Sequence, residues 1–357
     1  MGKRILAINP GGGSTKVALY EDDKELYRDK IRHPAEDMLG FKSTLEQLDY
    51  RRDAIAKLLD SWNETTNGLA AVVGRGGPFK PLISGTYKVN QTMLADIREG
   101  RVAAEHPSNL GALLANEIAL PVGIPAFIVD PVSVDEFTEE SRISGLPEIK
   151  RRSLSHALNT KMVGRKAASK MGKKYEELNL VIAHLGTGIS IGAHRRGRQI
   201  DVNNANDGGP FSPQRTGYLP VTQLIKLCFS GKYDEETLRK KVTKEGGLLA
   251  YLGSDDISPL YREAEAGDEK VALVLRAMVQ QIAKEIAAQS AVLDGKLDAI
   301  CLTGGMAYEP ALIEDIKKKI SFITTQILVF PGEDELEALA LGALRVLTGE
   351  AEAMVYE

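Results

Sequence analysis

Three short glycine-rich segments carry polar side chains of the kind that bind phosphate. They lie at residues 11–16 (GGGSTK), 184–188 (HLGTG) and 302–306 (LTGGM). Glycine lets the backbone approach a ligand closely, and successive N–H groups in such a turn form a cradle for an anion. Ser14 and Lys16 are two positions apart, so in a strand they point to the same side, where a hydroxyl and an ammonium suit a phosphate. The three segments together predict a nucleotide site.

The first segment does not match the common nucleotide-binding fingerprints. It lacks the Gly-Lys-Ser/Thr order of the P-loop, and it does not continue as Gly-x-Gly-x-x-Gly into a helix. What remains is a tight turn between two strands. His184, beside the second turn, has no evident packing purpose, and the paired Gly304 and Gly305 offer a flat surface for a base or ribose. These features favour a nucleotide over a plain hairpin.

The elements around these turns alternate between strand and helix. A strand, a glycine turn and a second strand occur near the N-terminus and again half a chain later, which predicts a duplicated α/β fold with a cleft between its halves. The domain boundary is placed near residue 150. Strands are predicted over residues 4–8, 17–20, 70–73, 126–129, 180–185, 189–193 and 299–303, and helices over 155–171, 270–293 and 336–347.

Composition narrows the classes of protein. The 357 residues carry a formal net charge of -4 and no long basic run, so nucleic acid and membrane are excluded as main partners. The apolar run at residues 5–8 is too short for a signal peptide. Cys228 and Cys301 have no ligand-type neighbours, so we expect both in the core and the protein in the reducing cytoplasm. The basic residues 239–241 are expected on a solvated helix face.

The order and wording of the motifs resemble the acetate and butyrate kinases, which belong to the superfamily of sugar kinases, actin and heat-shock chaperone ATPases. The wording of VVGRGG, HPSNLGA, VDPVSVDE and DVNNA is closer to the butyrate branch. The matching segments are INPGGGSTK (8–16), VVGRGG (72–77), EHPSNLGALLA (105–115), VDPVSVDE (129–136), HALNTK (156–161), AHLGTGISIGAHRRGRQIDVNNA (183–205), GPFSPQRTG (209–217), LTGG (302–305) and FPGEDE (330–335).

This resemblance implies a fold and a reaction. The fold is two ribonuclease H-like domains of the actin-like ATPase type, residues 1–150 (completed by the helix at 336–357) and residues 151–335. The reaction is butanoate + ATP giving butanoyl phosphate + ADP, by in-line transfer with Mg²⁺. No general base is required, because the attacking carboxylate is already ionised at neutral pH. The family also implies a homodimer or a larger homo-oligomer.

The resemblance assigns roles to single residues as well. Arg75 and Arg215 are expected to clamp the substrate carboxylate and the phosphoryl group, and His156 to stabilise the developing charge. His33 and His194 are expected to be exposed and without a role. The other expected site residues are Asn9, Ser14, Lys16, His184, Gly186, Gly188, Gly304 and Gly305 for ATP, His106 for substrate, and Asp130 with Asp334 or Glu335 (from the acidic cluster that starts at Glu333) for Mg²⁺.

Two positions depart from the family pattern. Relatives carry hydroxyl residues in the first turn where this chain has Gly12 and Gly13, so backbone N–H groups are expected to replace hydroxyl donors. Relatives also have Phe directly before the histidine that starts the helix, where this chain has Ser155. The smaller side chain leads to the hypothesis that a longer or branched acid is accepted.

Three other functions stay open at this point. The first is a kinase of the same family for acetate, propionate or isobutyrate. The second is a sugar kinase, which needs a carboxylate base and usually begins its first turn with Asp, where this chain has Asn9. The third is a non-catalytic nucleotide switch of the actin or chaperone type. Such a switch has no need of Arg75, Arg215 and His156 together.

Overall fold

The computed structural model describes residues 2–357, and the chain separates into two compact units. The first unit comprises Met1–Asp135 with Asp334–Glu357, and the second comprises Glu136–Glu333. The boundary between the units thus lies between residues 135 and 136, whereas the sequence analysis placed it near residue 150. The reason is that residues 136–150 are held by the second unit: Glu136 forms an ion pair with Lys161, and the N–H of Thr138 donates to the Ile200 carbonyl at 3.2 Å.

Each unit is built on one β-sheet. The first sheet has the order β3-β2-β1-β4-β6-β5 and the second the order β11-β10-β7-β8-β9. The strands are β1 (Arg4–Pro10), β2 (Ser14–Glu21), β3 (Lys24–Arg32), β4 (Ala71–Arg75), β5 (Thr86–Lys88), β6 (Ala126–Val129), β7 (Asn179–Leu185), β8 (Ile189–Arg195), β9 (Arg198–Val202), β10 (Ala299–Gly304) and β11 (Ile327–Pro331).

Helices surround the sheets, and most are amphipathic. The long helix predicted near residue 280 begins at Glu269, where the side chain of Asp268 accepts from the N–H of Val271. The helices are α1 (Ala35–Leu39), α2 (Leu48–Ser61), α3 (Gln91–Arg98), α4 (Leu110–Ala119), α5 (Glu139–Arg142), α6 (Ala157–Lys170), α7 (Val221–Cys228), α8 (Glu235–Thr243), α9 (Gly247–Leu252), α10 (Ile257–Glu265), α11 (Glu269–Val292), α12 (Pro310–Ile320) and α13 (Glu335–Leu347).

The two sheets repeat the same arrangement of strands. In the first, β1 pairs antiparallel with β2 and parallel with β4, and β4 pairs parallel with β6. In the second, β7 pairs antiparallel with β8 and parallel with β10, and β10 pairs parallel with β11. The first two glycine turns therefore occupy equivalent places, each joining the strands of the antiparallel hairpin. The predicted duplicated α/β fold is confirmed.

Both faces of the second sheet are buried. Along β7, Val181, Ala183 and Leu185 belong to one apolar core, while Leu180 and Ile182 belong to another on the opposite face. This alternation follows from the two-residue period of a strand. Helices α11 and α12 supply residues to the first of these cores and α6 to the second. The strand ends are thus held in a rigid frame, from which the turns project.

Helix α13 belongs to the first unit, as the sequence analysis expected. It packs against β1, β4 and β6, and the approach to β6 is close. A Cβ atom at Gly342 would lie 2.6 Å from the methyl carbons of Val129, so only glycine fits there. This packing places the first residue of α13, Glu335, beside the ends of the strands.

Three side chains lie where the sequence analysis did not expect them. His33 is 5% exposed and His194 is 0% exposed, so the prediction that both are exposed is wrong. Each is held by a hydrogen bond, His33 to Thr15 and His194 to Tyr175. Cys301 is buried as predicted, but Cys228 is exposed because α7 contributes no buried residue. No helix within residues 2–357 is both long and apolar enough to cross a bilayer.

Candidate active site

In the first unit, Asn9, Arg75 and Glu335 form one hydrogen-bonded cluster. Ile8 pairs with Gly74, so Asn9 and Arg75 lie side by side at the ends of adjacent parallel strands. Arg75 makes two bonds to the Glu335 carboxylate, Nη2 to Oε1 at 2.9 Å and Nη1 to Oε2 at 3.2 Å. The side-chain amide of Asn9 donates to Oε2 at 2.5 Å. The guanidinium fork of Arg75 is therefore placed to bind a carboxylate with both arms.

The backbone of Arg75 is fixed by close packing of α4 on β4. A Cβ atom at Gly74 would lie 2.0 Å from the Gly111 carbonyl oxygen, and one at Gly111 would lie 2.1 Å from the Arg75 carbonyl oxygen. Neither position tolerates a side chain. The GRGG motif thus has a structural reason for its first glycine, since it lets the helix hold the strand that carries Arg75.

Asp130 follows directly after β6 at the same edge of the sheet. Val129 pairs with Arg75, so the two adjacent strands end together. Asp130 is 2% exposed, and its Oδ1 accepts from Ser84 Oγ at 2.6 Å and from the Gly85 N–H at 2.9 Å. Its φ of 38° is unusual for a residue with a side chain and costs about 1 kcal/mol. A residue held in such a conformation at the end of a parallel strand is typical of a functional site.

The acidic cluster is divided between the two units. Glu333 belongs to the second unit, whereas Asp334 and Glu335 belong to the first. Within residues 2–357, no three His, Cys, Asp or Glu residues form a metal-binding group. Both oxygens of Glu335 are bound, by Arg75 and Asn9. An oxygen set of two carboxylates fits Mg²⁺, because this ion takes one or two carboxylates and completes its shell with water and phosphate.

In the second unit, His156 and His184 stack face to face. Their ring centroids are 3.8 Å apart and the planes differ by 9°. His156 precedes α6, and its Nδ1 bonds to Ser190 Oγ at 3.0 Å. His184 Nδ1 bonds to Asn159 Oδ1 at 2.7 Å, and the amide of Asn159 donates to the Glu333 carbonyl at 2.8 Å. Both imidazoles are thus held in fixed orientations.

Asn159 and Ser190 were missed by the sequence analysis. Both lie inside matched motifs, HALNTK and AHLGTGISIGAHRRGRQIDVNNA, so resemblance alone could have drawn attention to them. Asn159 lies in the first turn of α6, three residues after His156, which directly precedes the helix. What the sequence could not show is that their polar atoms are directed at the two histidines.

Arg215 lies against the second glycine turn. A Cβ atom at Gly188 would be 2.5 Å from Nη1 of Arg215, so the missing side chain makes room for the guanidinium. Ser212 ties the two segments together, because its Oγ donates to the Thr187 carbonyl at 2.5 Å and accepts from the N–H of Arg215 at 3.2 Å. Burial lowers the pKa of Arg215. The guanidinium remains charged beside the turn, since arginine does not lose its proton in proteins.

Arg215 also lines a cavity of about 1160 Å³ in the second unit. Its wall includes basic Arg152 and Lys244 as well as acidic Asp207 and Asp234. The volume exceeds the several hundred Å³ that a small-molecule ligand occupies. A ligand therefore has access to the guanidinium of Arg215.

The third turn meets the second at the ends of β7 and β10. Thr303 pairs with His184, and Gly304 has a φ of 92°, which favours glycine. A Cβ atom at Gly304 would lie 2.4 Å from the Leu185 carbonyl oxygen. Gly305, in contrast, has open space at its Cα. The structure thus brings His184, Gly186, Gly188, Gly304 and Gly305 to one edge of the second sheet.

The first turn is a tight hairpin, as predicted. The N–H of Gly11 donates to the Ser14 carbonyl at 2.7 Å, and Asn9 pairs with Lys16 across the hairpin. Ser14 and Lys16 are half-buried and lie on the same face of β2, with buried Thr15 between them. At Gly12 and Gly13, no atom lies within 4 Å of the place that a Cβ atom would take, which leaves the turn open on that side.

His106 lies at the start of a short helical turn in the first unit. It is exposed, and its Nδ1 lies 2.7 Å from Ser108 Oγ and 3.2 Å from the Ser108 N–H, which donates to it. The neutral ring therefore carries its proton on Nε2. This arrangement leaves a donor available to a ligand.

Comparison with known proteins identifies the family. The model of the acetokinase family matches residues 148–327. Butyrate kinase 2 of Clostridium acetobutylicum is 48% identical over 355 residues, which cover 99% of each chain. The probable butyrate kinase 2 of Caldanaerobacter subterraneus is 50% identical over 353 residues, again 99% of each chain. The chain belongs to the acetokinase family.

The solved structures agree with the fold. The acetate kinase of Porphyromonas gingivalis superposes with a TM-score of 0.80 at 19% identity, covering 97% of this chain and 100% of the other. At that identity the likeness concerns the fold alone. This acetokinase-family chain therefore has the two-domain actin-like ATPase fold that the sequence analysis predicted.

Proposed function

We propose that this acetokinase-family chain transfers the γ-phosphoryl group of ATP to butyrate. The observation that carries the proposal is the two-armed ion pair of Arg75, which binds the carboxylate of Glu335 as it would bind that of a substrate. The choice of butyrate rests on relatives of 48% and 50% identity that are named butyrate kinases over their full length. The same family includes proteins named acetate kinase, so the acyl chain is the part to test first.

The reaction balances without an external base. A carboxylate oxygen of butyrate attacks the γ-phosphorus and forms a new O–P bond, and the bond from the γ-phosphorus to the bridging oxygen of ADP breaks. No proton is transferred, because butyrate is ionised at neutral pH. The side chains have to orient the acid and neutralise the equatorial phosphoryl oxygens.

The roles follow from the contacts of each side chain. Arg75 binds the substrate carboxylate in place of Glu335, and Arg215 binds a phosphoryl oxygen. His156, whose ring is oriented by the bond between its Nδ1 and Ser190 Oγ, stabilises the charge that develops on the phosphoryl group. Asp130 with Asp334 would hold Mg²⁺, which would neutralise charge on the phosphates. His106 donates to the substrate from its Nε2.

The nucleotide contacts are assigned to the three turns. Asn9, Ser14 and Lys16 contact phosphate at the first turn. The second turn, with His184, contacts phosphate through its N–H groups, and the third turn faces the ribose or base. These assignments are supported by the open space at Gly12, Gly13 and Gly305, where no side chain obstructs a ligand.

The test is to incubate the protein with MgATP and a series of acids, from acetate to valerate with isobutyrate, and to trap acyl phosphate with hydroxylamine. We expect the signal to peak at butyrate. A peak at acetate, propionate or isobutyrate would keep the chemistry and change the substrate. Tight MgATP binding with no hydroxamate from any acid would favour the non-catalytic switch.

Ser155 is tested by the same series of acids. Its hydroxyl donates to Gln199 Oε1 at 3.1 Å, and the residue is 7% exposed. The hypothesis that Ser155 leaves room for a branched acid predicts that Ser155→Phe reduces the rate with isobutyrate more than the rate with acetate. Equal losses with both acids would contradict it.

We also propose that the protein is a homodimer. On α7 and the residue after it, Val221, Ile225 and Phe229 follow one another at intervals of four and are 68%, 52% and 87% exposed. An apolar helix face of this kind is typical of a protein contact surface. Light scattering with size exclusion should give twice the chain mass for the wild type and the single mass for Ile225→Glu. A monomeric wild type would contradict the proposal.

A further inference from the structure

A fully buried arginine lies beneath the first glycine turn. Arg51 on α2 is 0% exposed. Its Nη2 donates to the Gly12 carbonyl at 3.1 Å, and its Nη1 donates to Thr15 Oγ1 at 2.9 Å and to the Ser14 carbonyl at 3.4 Å. Gln47 Oε1 accepts from Nε at 3.1 Å and from Nη2 at 2.8 Å. Every acceptor of this guanidinium is neutral.

The charge of Arg51 is thus not balanced by an acid. Within residues 2–357, no carboxylate forms an ion pair or hydrogen bond with its guanidinium. Burial lowers the pKa of Arg51, but arginine stays protonated in proteins. Burying an unpaired charge is costly, and an apolar side chain would fill the same space at lower cost. A cation kept under such conditions points to a role in binding an anion.

The bonds of Arg51 also set the direction of the turn's N–H groups. In a trans peptide the C=O and the N–H point in opposite directions. Because the Gly12 carbonyl is directed at Arg51, the N–H of Gly13 points away from it. The Gly13 carbonyl is held as well, by the N–H of His33 at 2.9 Å. The exposed side of the turn therefore presents N–H, and the carbonyl oxygens are directed inward.

His33 completes this support through Thr15. Thr15 Oγ1 accepts from Arg51 and also shares a hydrogen bond with His33 Nε2, 2.8 Å away. Arg51, Thr15 and His33 thus form one chain of hydrogen bonds beneath the turn.

We infer that Arg51 is a positioning residue for the phosphate bound at the first turn. It holds the Gly12 peptide with its N–H side outward and places a positive charge beneath the turn. This compensates for the hydroxyl donors that Gly12 and Gly13 cannot supply. The inference rests on the proposed function in one respect, namely that the first turn binds a phosphate of ATP.

The test compares Arg51→Met and Arg51→Lys with Arg52→Met. Arg52 is the matched control, because it is the next residue on α2 but its guanidinium is part-exposed and paired with Asp49, Asp53 and Glu117. MgATP affinity is measured by calorimetry without any acid, and KM and kcat by hydroxamate formation. Thermal unfolding of each variant is followed by circular dichroism.

We expect Arg51→Met to weaken MgATP binding by about 30-fold, within the ~10–100-fold range seen when a residue that orients a ligand-binding group is removed. KM for butyrate should stay within about twofold of the wild type, because the acid does not contact this turn. The MgATP affinity of Arg51→Lys should lie between those of the wild type and Arg51→Met, since lysine keeps the charge but not the guanidinium fork. Folded Arg51 variants with wild-type MgATP affinity would overturn the inference, as would an equal loss in Arg52→Met.

A second measurement keeps the inference testable if the Arg51 variants do not fold. Amide hydrogen exchange of residues 11–16 in the wild type should slow when MgATP is added, and unchanged exchange at saturating MgATP would overturn the inference. The two proposals can also fail separately. A wild type that binds MgATP but forms no acyl phosphate contradicts only the proposed function, whereas active Arg51 variants with wild-type MgATP affinity contradict only the positioning role.

Discussion

The first and second glycine turns join equivalent strands but present positive charge in different ways. In the first, Gly12 and Gly13 are exposed, and the cation, Arg51, lies beneath the backbone and acts through it. In the second, Gly188 is crowded by the guanidinium of Arg215, which lies beside the turn. One charge therefore acts through oriented peptides and the other through a side chain that a ligand can reach. The duplicated sheet fixes where the turns are, and the residues beneath and beside them decide how each binds.

The largest expected effect is at the second turn. Arg215→Ala should lower kcat/KM by about 10³-fold, or about 4 kcal/mol, because a charge that contacts the phosphoryl group is lost. Arg195→Ala is the control, since Arg195 is a part-exposed arginine of the same unit that is paired with Asp294 away from the cavity. Steady-state hydroxamate assays measure both. A loss of kcat/KM of less than tenfold would mean that Arg215 does not contact the phosphoryl group, and that the second turn does not act through this side chain.

The stability of the protein should depend on pH through His33, which lies beneath the first turn. Burial, with a smaller contribution from the charge of Arg51, lowers the pKa of His33 from 6.5 to about 4, against a small opposite effect of Asp37. As pH falls below 6.5, the unfolded chain binds a proton that the folded chain does not. The contribution of the neutral His33 ring to the free energy of unfolding is thus fully present above pH 6.5. It is lost progressively as the pH falls to about 4, by about 3 kcal/mol in total.

The measurement is urea unfolding of the wild type and His33→Gln between pH 4 and pH 7. The variant removes the titrating ring, so the difference in unfolding free energy between the two proteins should depend on pH within this window and be constant above it. Parallel curves would show that the ring beneath the first turn is not held neutral.

Much of this arrangement could be read from the sequence, for a physical reason. Strand patterns and glycine turns are local, so the hairpins around residues 11–13 and 186–188 were predicted within a few residues of their ends. The position of Arg75 between Gly74 and Gly76 was also a local signal. The reaction and the roles of single residues were predicted from the family motifs, because the periodicity of a sequence indicates helices and strands but not chemistry.

What the sequence did not predict depends on contacts between distant residues. The sequence analysis did not single out Arg51, because only the tertiary fold places its side chain under Gly12. His33 was expected to be exposed because nothing near it in sequence shows that its ring bonds to Thr15 in the folded chain. The boundary near residue 150 missed the ion pair of Glu136 with Lys161 for the same reason.

Gly188→Ala should have an intermediate effect. The new methyl would lie within 2.5 Å of Nη1 of Arg215, and the flexible side chain has to move away from the turn. We expect kcat to fall about 10–100-fold with little change in unfolding temperature, because the end of a long side chain can yield more easily than backbone. Gly231→Ala, at a position in the same unit with open space, is not a clean control because its φ is 72°. Gly305→Ala is also unsuitable as a control, since Gly305 lies in the third turn of the proposed nucleotide site. Gly188→Ala is therefore compared with Arg215→Ala.

If Gly188 acts only through Arg215, the double variant Gly188→Ala with Arg215→Ala should be no slower than Arg215→Ala alone. Additive losses would show that the methyl group obstructs the ligand directly.

The smallest effect on the protein itself should come from Gly12→Ala in the first turn. The added methyl meets nothing within 4 Å, and the backbone of Gly12 is not in the left-handed region, so neither clash nor strain opposes it. The free energy of unfolding should therefore stay within about 0.5 kcal/mol of the wild type in urea titrations. MgATP affinity should change by less than about threefold, because the Gly12 carbonyl keeps its bond to Arg51 and the N–H of Gly13 keeps its direction. A large loss of affinity at unchanged stability would mean that the phosphate lies directly on Gly12, and that the open side of the turn matters more than the cation beneath it.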